Sequence, residues 1–566
     1  MYATRPTLYG ARHAVSAGHY LASAAGFAVL EAGGNAVDAG CAAGMALGVL
    51  LPDLVNVAGV APIIIRMADG TLETIAGLGH WPASLPADLF MREHGGKIPA
   101  GVLRTVVPAA PDAWITALER HGTMGFGEVA QYAIRHARDG YAVYPLLHDN
   151  LREHREEYER FPTSMPIFYP GGRLPQVGER FVQSDLARTL QYMADEEKKV
   201  AGQGRAAGLA AAHAAFYKGD IAREIDAFMR REGGYLTMAD LAGFRSRIEP
   251  AVVRDWRGHQ VITCGPWCQG PALLELLLLL EKGGIGAMAH NSAEYLHLFT
   301  ECVKAAMADR EYHFGDPRFV EVPLATLLSE SHLAARLAQI HPDKAMPEMP
   351  GPILNASPNL PGATRADQPL VEADTSYCAV VDRWGNAFSA TPSDGSWASP
   401  VIPGLGIIPS NRGSQSRPDP SHPCGVAPGK RPRLTPNPAM VVTRDGGVMP
   451  FGTPGGDVQI QAMVQVMLNI LQFGMEVQEA IEAPRVASYS FPSSFAPFEY
   501  FPGRLAVESA IPQATRDALA AKGHGISPWP AQTWLAGTVE VVLSDPKSGL
   551  LAAGADPRRP AYAIAG

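Results

Sequence analysis

The dipeptide Asp374-Thr375 restricts the possible structure of this chain more than any other feature. Thr375 begins an alternating run from Ser376 to Val381, which is followed by an Arg-Trp-Gly-Asn turn and a second short run, Ala387 to Thr391. Alternation on both sides of a tight turn predicts a β-hairpin that starts at Thr375. If the bond between Asp374 and Thr375 were cut, Thr375 would carry a free amine beside its own hydroxyl. One residue would then supply both a nucleophile and a base.

The segment ahead of this dipeptide differs in composition from its surroundings. Residues 340–374 are rich in Pro, Asn and Gly and have little periodicity, which predicts a flexible linker. An exposed, flexible segment just before the cut site is what self-cleavage requires. A second Pro/Gly/Ser-rich stretch, Arg412 to Lys430, is predicted to be a loop over a site.

Two further features offer chemistry that would assist such a threonine. Gly455 and Gly456 precede a predicted helix, whose free N-terminal amides can stabilise an oxyanion. A phosphate loop is disfavoured because no Lys-Ser/Thr pair follows the glycines, and an ordinary strand–helix turn is the other reading. Alternation along a strand would put Ser389, Thr391 and Ser393 on one face, from which Ser393 could hydrogen-bond the nucleophile. The alternative is that these hydroxyls only mark a polar strand end.

Composition and charge exclude several classes of protein. With 47 Lys+Arg and 56 Asp+Glu the net charge is −9, which argues against nucleic-acid binding. The N-terminus has no secretory pattern, and the apolar run Leu273 to Leu280 is too short to span a bilayer, so we expect a soluble, cytoplasmic protein. The six cysteines are too sparse for a disulfide scaffold, and the histidines are scattered without the spacing of metal ligands.

The remaining pattern consists of strand pairs between helical runs. This favours a layered α/β protein with an antiparallel sheet. The predicted helices are Tyr20 to Ala32, Ala36 to Leu50, Pro271 to Glu281 and a helix from Asp457 to about Phe473. The predicted strands include Pro62 to Met67, Thr71 to Ile75, Val252 to Thr263, Ala439 to Thr443, Val448 to Phe451 and Thr538 to Leu543.

Several separate motifs, in consistent order over most of the chain, resemble the gamma-glutamyltranspeptidase family of N-terminal-nucleophile hydrolases. These motifs are Leu30 to Ala39 (LEAGGNAVDA), His121 to Met124, Ala137 to Gly140, Lys430 to Pro432, Gly452 to Gly456, Phe473 to Met475 and Ala483 to Arg485. The family cleaves itself at the position of Asp374-Thr375.

The resemblance implies an αββα sandwich, with two antiparallel sheets between helical layers. Thr375 would be the nucleophile of both self-processing and substrate hydrolysis, and Gly455 and Gly456 would offer oxyanion-hole amides. Ser393 falls where the family has a threonine bonded to the nucleophile. Cleavage would yield a large segment, 1–374, and a small catalytic segment, 375–566, which stay associated as one composite domain. No metal or organic cofactor is implied, and dimerisation of the cleaved pair is left open.

Departures from the family pattern fall in the acyl-binding pocket. Where the family has an arginine that binds the glutamyl carboxylate, this chain has Leu78. The family's acidic residue for the α-amine falls near Ser414-Gln415, where this chain has no carboxylate. A zwitterionic glutamyl group would therefore lack partners for its charges. Two serines that assist carboxylate binding in the family are replaced here by Leu434 and Thr435. The family's asparagine near the partner of the nucleophile is replaced by Gly395. The residues predicted to bind substrate are Leu78, His80, Trp81, Thr391, Gln415, Arg433, Leu434 and Thr435, of which Arg433 or His80 could still contact a carboxylate.

We therefore expect an autoprocessing amidohydrolase that acts on a small acyl compound other than a gamma-glutamyl one. A genuine gamma-glutamyltransferase or glutathione hydrolase is the first alternative. An uncleaved, non-catalytic family member that acts as a binding protein is the second. The partners expected are a small-molecule amide and the two segments of one precursor, with neither nucleic acid nor membrane.

Overall fold

Two seven-stranded antiparallel sheets, stacked face to face, form the centre of the protein. The computed structural model describes residues 3–356, 360 and 374–566. One sheet has the strand order β1-β18-β17-β13-β12-β9-β8 and the other β19-β2-β10-β11-β3-β4-β7. The strands are β1 (Leu8–Gly10), β2 (Ala14–Ala17), β3 (Ile63–Arg66), β4 (Leu72–Ile75), β5 (Tyr141–Ala142), β6 (Arg180–Phe181), β7 (Ile248–Glu249), β8 (Val252–Trp256), β9 (His259–Thr263), β10 (Cys378–Val381), β11 (Ala387–Ala390), β12 (Ala439–Val442), β13 (Val448–Gly452), β14 (Val486–Ser488), β15 (Arg504–Glu508), β16 (Gly525–Trp529), β17 (Glu540–Asp545), β18 (Leu550–Ala555) and β19 (Tyr562–Ala565).

Helices cover the outer face of each sheet. One apolar core joins the second sheet to the helices of the N-terminal part of the chain, and another joins the first sheet to α13, α14 and α17. The helices are α1 (Tyr20–Glu31), α2 (Ala36–Leu50), α3 (Leu89–Glu93), α4 (Ala110–His121), α5 (Phe126–Asp139), α6 (Pro145–Glu153), α7 (Arg155–Glu159), α8 (Met165–Phe168), α9 (Ser184–Lys199), α10 (Arg205–Tyr217), α11 (Asp220–Glu232), α12 (Met238–Ala242), α13 (Gly270–Lys282), α14 (Ala293–His313), α15 (Leu324–Leu327), α16 (Glu330–Leu337), α17 (Gln459–Leu471), α18 (Val477–Glu482) and α19 (Gln513–Ala521).

The hairpin β10–β11 lies in the middle of its sheet, as the alternation of its residues requires. Tyr377, Ala379 and Val381 point into the core between the two sheets, whereas Cys378 and Val380 point into the helix-covered core. Both faces of the strand are therefore buried, and successive side chains serve different layers. The predicted αββα sandwich is confirmed.

One predicted strand is in fact a hairpin. The run from Val252 to Thr263 divides into β8 and β9, because Arg257 and Gly258 have φ angles of 54° and 78°. Two consecutive residues with positive φ are typical of a two-residue hairpin turn.

The described part of the predicted linker contacts the body of the protein. Lys304 donates a hydrogen bond from Nζ to the Met346 carbonyl at 2.6 Å, and the Met349 amide donates to the Tyr500 hydroxyl at 2.8 Å. Residues 357–359 and 361–373 of that segment lie outside the described residues. Among the helices that are described, none combines the length and apolarity needed to cross a membrane.

Candidate active site around Thr375

Thr375 is fully buried just ahead of β10, and both of its backbone groups are held. Its amide donates to the Leu54 carbonyl at 2.9 Å, and its carbonyl accepts a hydrogen bond from Arg559 Nη1 at 2.9 Å. The next residue, Ser376, donates its amide to the Pro392 carbonyl at 2.9 Å. The Asp374–Thr375 link is therefore fixed from both sides.

The backbone at Thr375 is strained. Its φ of 96° lies in a region that side chains branched at Cβ rarely adopt, and such a conformation costs roughly 1–3 kcal/mol. The surrounding contacts maintain the conformation, and cutting the Asp374–Thr375 bond would remove the constraint. The strain thus lies at the bond that is predicted to break.

The Thr375 hydroxyl has two close oxygen partners. Its Oγ1 lies 2.6 Å from Ser393 Oγ and 3.1 Å from Asp374 Oδ1. Ser393 Oγ also accepts a hydrogen bond from Arg412. One proton assignment satisfies the shortest contacts: Thr375 donates to Asp374, and Ser393 donates to Thr375 rather than to Asp374 Oδ1 at 3.4 Å. Ser393 can then stabilise negative charge on the Thr375 oxygen, and Asp374 can take up its proton.

The Asp374 carboxylate lies in a set of donors of its own. Arg412 pairs with Asp374 Oδ2, and the Gly395 amide donates to the same oxygen at 2.8 Å. The Arg412 side chain is completely buried, and its guanidinium carbon lies 5.6 Å from the ring centre of Phe495. A buried cation beside a buried carboxylate gives a strong, directional contact next to Thr375.

A second carboxyl, Asp394, lies on the other side of Arg412. Asp394 Oδ1 is 3.8 Å from Arg412 Nε and accepts the Asn411 amide at 3.2 Å, while Oδ2 accepts from the Ser410 hydroxyl at 2.6 Å. Burial raises the pKa of Asp394 to about 7, although the Arg412 charge opposes that rise. This carboxyl therefore changes charge close to neutral pH.

The two glycines predicted to form an oxyanion hole lie at the end of β13. Gly455 has a φ of 121° and Gly456 one of 56°. Within the described part of the chain, the Gly455 amide donates no hydrogen bond. The same strand ends at Gly452, where a Cβ would come within 2.3 Å of the Tyr377 ring. Gly452 thus packs closely on Tyr377, which follows Thr375 by two residues, and the glycine turn follows Gly452 along the chain.

A series of side-chain hydrogen bonds links the Arg412 turn to this glycine turn. The Gln415 amide nitrogen donates to Thr435 Oγ1 at 2.8 Å. The Gln269 amide nitrogen donates to both the Thr435 carbonyl and the Gly456 carbonyl, at 2.8 and 3.0 Å. Two of the predicted substrate-binding residues, Gln415 and Thr435, are therefore in contact and lie between the two turns.

The other predicted substrate-binding residues fall into two groups. Leu78 and Leu434 share one apolar cluster with Val60, whose backbone pairs with that of Ser393. Trp81 lies under the Arg412 turn, since a Cβ on Gly413 would come within 2.3 Å of its ring. These contacts connect Leu78, Leu434 and Trp81 to the elements that hold the nucleophile.

His80, Arg433 and Thr391 are differently placed. His80 Nδ1 lies 2.9 Å from the Trp81 carbonyl oxygen, with which its ring can form a hydrogen bond. Arg433 is buried and paired with Glu311 at 2.6 Å, so it already has a carboxylate partner within the fold. The Thr391 hydroxyl is buried and makes no hydrogen bond within the described residues.

Two buried groups of potential metal ligands occur in the described part of the chain. In the group of His297, Glu301 and His524, Glu301 is paired with Lys304 at 2.7 Å. In the group of Glu275, Asp309 and His332, Asp309 is paired with Arg336 through two nitrogens. Each group thus has a cation of its own, and neither includes a residue of the Thr375 hydrogen-bond network.

Sequence reasoning did not identify Arg412, Asp394 or Arg559 as residues of the site. A signal for Arg412 existed, because it begins the Pro/Gly/Ser-rich stretch that was predicted to cover a site. Asp394 directly follows Ser393, but a carboxylate at a strand end has no pattern of its own. Arg559 reaches the Thr375 carbonyl from 184 residues away.

The sequence and the fold of this chain are similar to those of a family of hydrolases. The family model for gamma-glutamyltranspeptidase matches residues 22–566. The chain is 32% identical to the Acylase ACY 1 proenzyme of Pseudomonas sp. (strain SE83), over 96% of this chain and 92% of that protein. The solved structure of LmbA2991HD matches with a TM-score of 0.93 at 36% identity and covers 100% of both chains. Cephalosporin acylase from Bacillus halodurans matches with a TM-score of 0.86 at 28% identity, over 100% of this chain and 98% of that one.

Proposed function

The chain belongs to the gamma-glutamyltranspeptidase family of N-terminal-nucleophile hydrolases, and we propose that it is an autoprocessing amidohydrolase with Thr375 as its nucleophile. It cleaves an amide bond of a small acyl compound other than a gamma-glutamyl one, through an acyl-enzyme. The observation that carries this proposal is the Thr375 hydroxyl, held 2.6 Å from Ser393 Oγ and 3.1 Å from Asp374 Oδ1 at a strained link.

Self-cleavage starts with attack of Thr375 Oγ1 on the carbonyl carbon of Asp374. The hydroxyl proton passes to the Asp374 carboxylate and on to the departing Thr375 nitrogen, so that a C–O bond replaces the C–N bond. Water then hydrolyses this ester. The products are a carboxyl group on Asp374 and a free amine and hydroxyl on Thr375. The strain at φ 96° favours this step because the precursor loses it on cleavage.

Turnover repeats the same chemistry on a substrate amide. The Thr375 α-amine, whose ordinary pKa is about 8, accepts the hydroxyl proton and passes it to the leaving amine. Ser393 donates to the attacking oxygen, and the amides of Gly455 and Gly456 receive the oxyanion of the tetrahedral intermediate. Hydrolysis of the acyl ester by water restores the threonine.

The contacts around the acyl pocket support a specificity other than gamma-glutamyl. Leu78 lies in an apolar cluster with Leu434, so its side chain offers no charge to a glutamyl α-carboxylate. Gln415 is engaged with Thr435 and offers no negative charge to an α-amine. A glutamyl group would therefore leave its α-carboxylate and α-amine without partners at these two positions, and a buried charge without a partner is costly.

Intact-mass analysis of purified protein, combined with an amide-hydrolysis assay, tests the proposal. We expect two chains, the smaller beginning at Thr375, and hydrolysis of acyl 4-nitroanilides that exceeds that of gamma-glutamyl-4-nitroanilide. The variant T375A should remain one chain and be inactive, whereas the matched control T375S, which keeps a hydroxyl, should cleave and turn over. Rapid release from the gamma-glutamyl anilide would support a true gamma-glutamyltransferase, and a single uncut chain would support the non-catalytic alternative.

A further inference from the structure

Cleavage after Asp374 would free its side-chain carboxylate to leave the donors that bind it in the precursor. Arg412 and the Gly395 amide, which bind Asp374 Oδ2, both belong to the small segment 375–566, whereas Asp374 belongs to the large one. After the cut, no covalent bond holds the Asp374 carboxylate against these donors. The donors stay beside Thr375, because Arg412 also donates to Ser393 Oγ and Ser393 lies 2.6 Å from Thr375 Oγ1.

The acyl group of the precursor and the acyl group of a substrate attach to the same atom. In the self-cleavage ester the Asp374 acyl group is bonded to Thr375 Oγ1, and in turnover the substrate acyl group takes that position. From its carbonyl carbon, Asp374 extends through Cα and Cβ to the carboxylate carbon. This is the carbon skeleton of a succinyl group, so the structure contains an internal counterpart of a four-carbon acyl group that ends in a carboxylate.

The other arginines near the site are committed elsewhere. Arg433 and Arg417 both pair with Glu311, at 2.6 Å each. Arg559 donates to the Thr375 carbonyl, a contact within the small segment that cleavage leaves in place. Arg412 differs from these three because its carboxylate partner, Asp374, is the residue whose own carbonyl carbon is attacked in the cut.

Trp397 lies between this site and a surface cleft. A Cβ on Gly395 would lie 3.1 Å from the ring of Trp397 and 3.4 Å from the Asp374 Cβ, so both side chains lie next to Gly395. Trp397 stacks on His154 with ring centres 4.4 Å apart, and both rings line an open surface cleft. Lys97, Arg104 and Arg160 also line the cleft together with one carboxylate, Glu157, so cations outnumber anions in its lining.

We propose that Arg412 and the Gly395 amide form the carboxylate-binding subsite of the mature enzyme, and that its substrates are amides of four-carbon dicarboxylic acids of the succinyl type. This rests on the proposed function, since it assumes acyl transfer to Thr375. Asp374 occupies the subsite in the precursor and is replaced by the substrate carboxylate after cleavage. Asp394, on the far side of the guanidinium, stays as a second counter-charge for Arg412.

The test compares two 4-nitroanilides of equal chain length, succinyl and butyryl, which differ in the terminal carboxylate. For the wild-type protein we expect kcat/KM for the succinyl compound to exceed that for the butyryl compound at least about 30-fold, the range of a charge-assisted hydrogen-bond pair. In R412Q this ratio should fall to within about 3-fold of unity. The matched control R383Q, which removes an exposed arginine of the same segment, should leave the ratio unchanged.

Each possible result supports or contradicts the proposed carboxylate subsite. Equal wild-type rates on the two anilides, or an unchanged ratio in R412Q, would overturn the subsite while leaving Thr375-dependent hydrolysis in place. Absence of hydrolysis of any amide by an uncut chain would overturn the proposed function as well. If R412Q fails to process, inhibition of the mature wild-type enzyme decides: succinate should inhibit at a concentration at least about 10-fold lower than butyrate, and equal inhibition would contradict the subsite.

Discussion

Ser393 provides the sharpest test of how the nucleophile is activated. Its Oγ lies 2.6 Å from Thr375 Oγ1 and 3.4 Å from Asp374 Oδ1, and it accepts a hydrogen bond from Arg412. The variant S393A deletes the one donor that we assign to the attacking oxygen. A hydrogen bond to an oxygen that becomes charged contributes about 1.5–3 kcal/mol, so its loss should slow cleavage about 10- to 150-fold.

The assay follows conversion of newly synthesised full-length chain to two chains by intact mass. S393T is the matched control, because it keeps a hydroxyl at this position, where the gamma-glutamyltranspeptidase family has a threonine. We expect S393T to cleave much faster than S393A, with near-UV circular dichroism unchanged in both. Cleavage of S393A within about 2-fold of the wild-type rate would refute the role assigned to this hydroxyl.

Further predictions concern charge and packing. Because burial raises the pKa of Asp394 from 3.8 to about 7, the folded state holds this proton more tightly than the unfolded state. The contribution of this group to stability is therefore fully present below about pH 4 and is lost as pH rises to about 7, by up to roughly 4 kcal/mol. In D394N this pH dependence should be absent, so the thermal midpoint of the variant relative to that of the wild type should rise between pH 5 and 8. Parallel curves of thermal midpoint against pH for the two proteins would contradict the assignment. A Cβ on Gly40 would come within 2.1 Å of the Phe388 ring, whereas one on Gly202 meets nothing within 4 Å. G40A should lower the free energy of unfolding by about 1–3 kcal/mol and G202A should not, as thermal melts of the two variants would show.

Local signals predicted the elements of the fold well, since helices and hairpins follow from spacing along the chain. The helix from Ala36 to Leu50 occurs as predicted, and β10 and β11 follow the alternation of their residues. Strand order could not be read in the same way: β19, at the end of the chain, pairs with β2 near its beginning. Such pairings depend on which apolar faces fit together, and no local pattern records that.

The site shows the same division between local and distant information. The contact between Thr375 and Ser393 could be predicted because a hairpin start and a strand-end hydroxyl are visible in the sequence. The pairing of Arg412 with Asp374 could not, because it joins a loop residue to a strand start across 38 positions. The ion pair between Arg433 and Glu311 could not be predicted from the sequence either, because Glu311 lies on a helix in the other segment.

Trapping the acyl-enzyme tests the central claim most directly. Mature protein would be mixed with a slowly hydrolysed acyl anilide, quenched in acid and digested, and the acylated peptide sequenced by mass spectrometry. The account predicts a single acyl ester on Thr375, in a peptide that begins with Thr375 and carries a free α-amine. An acyl group on another residue, or turnover by a chain still joined at Asp374–Thr375, would contradict it.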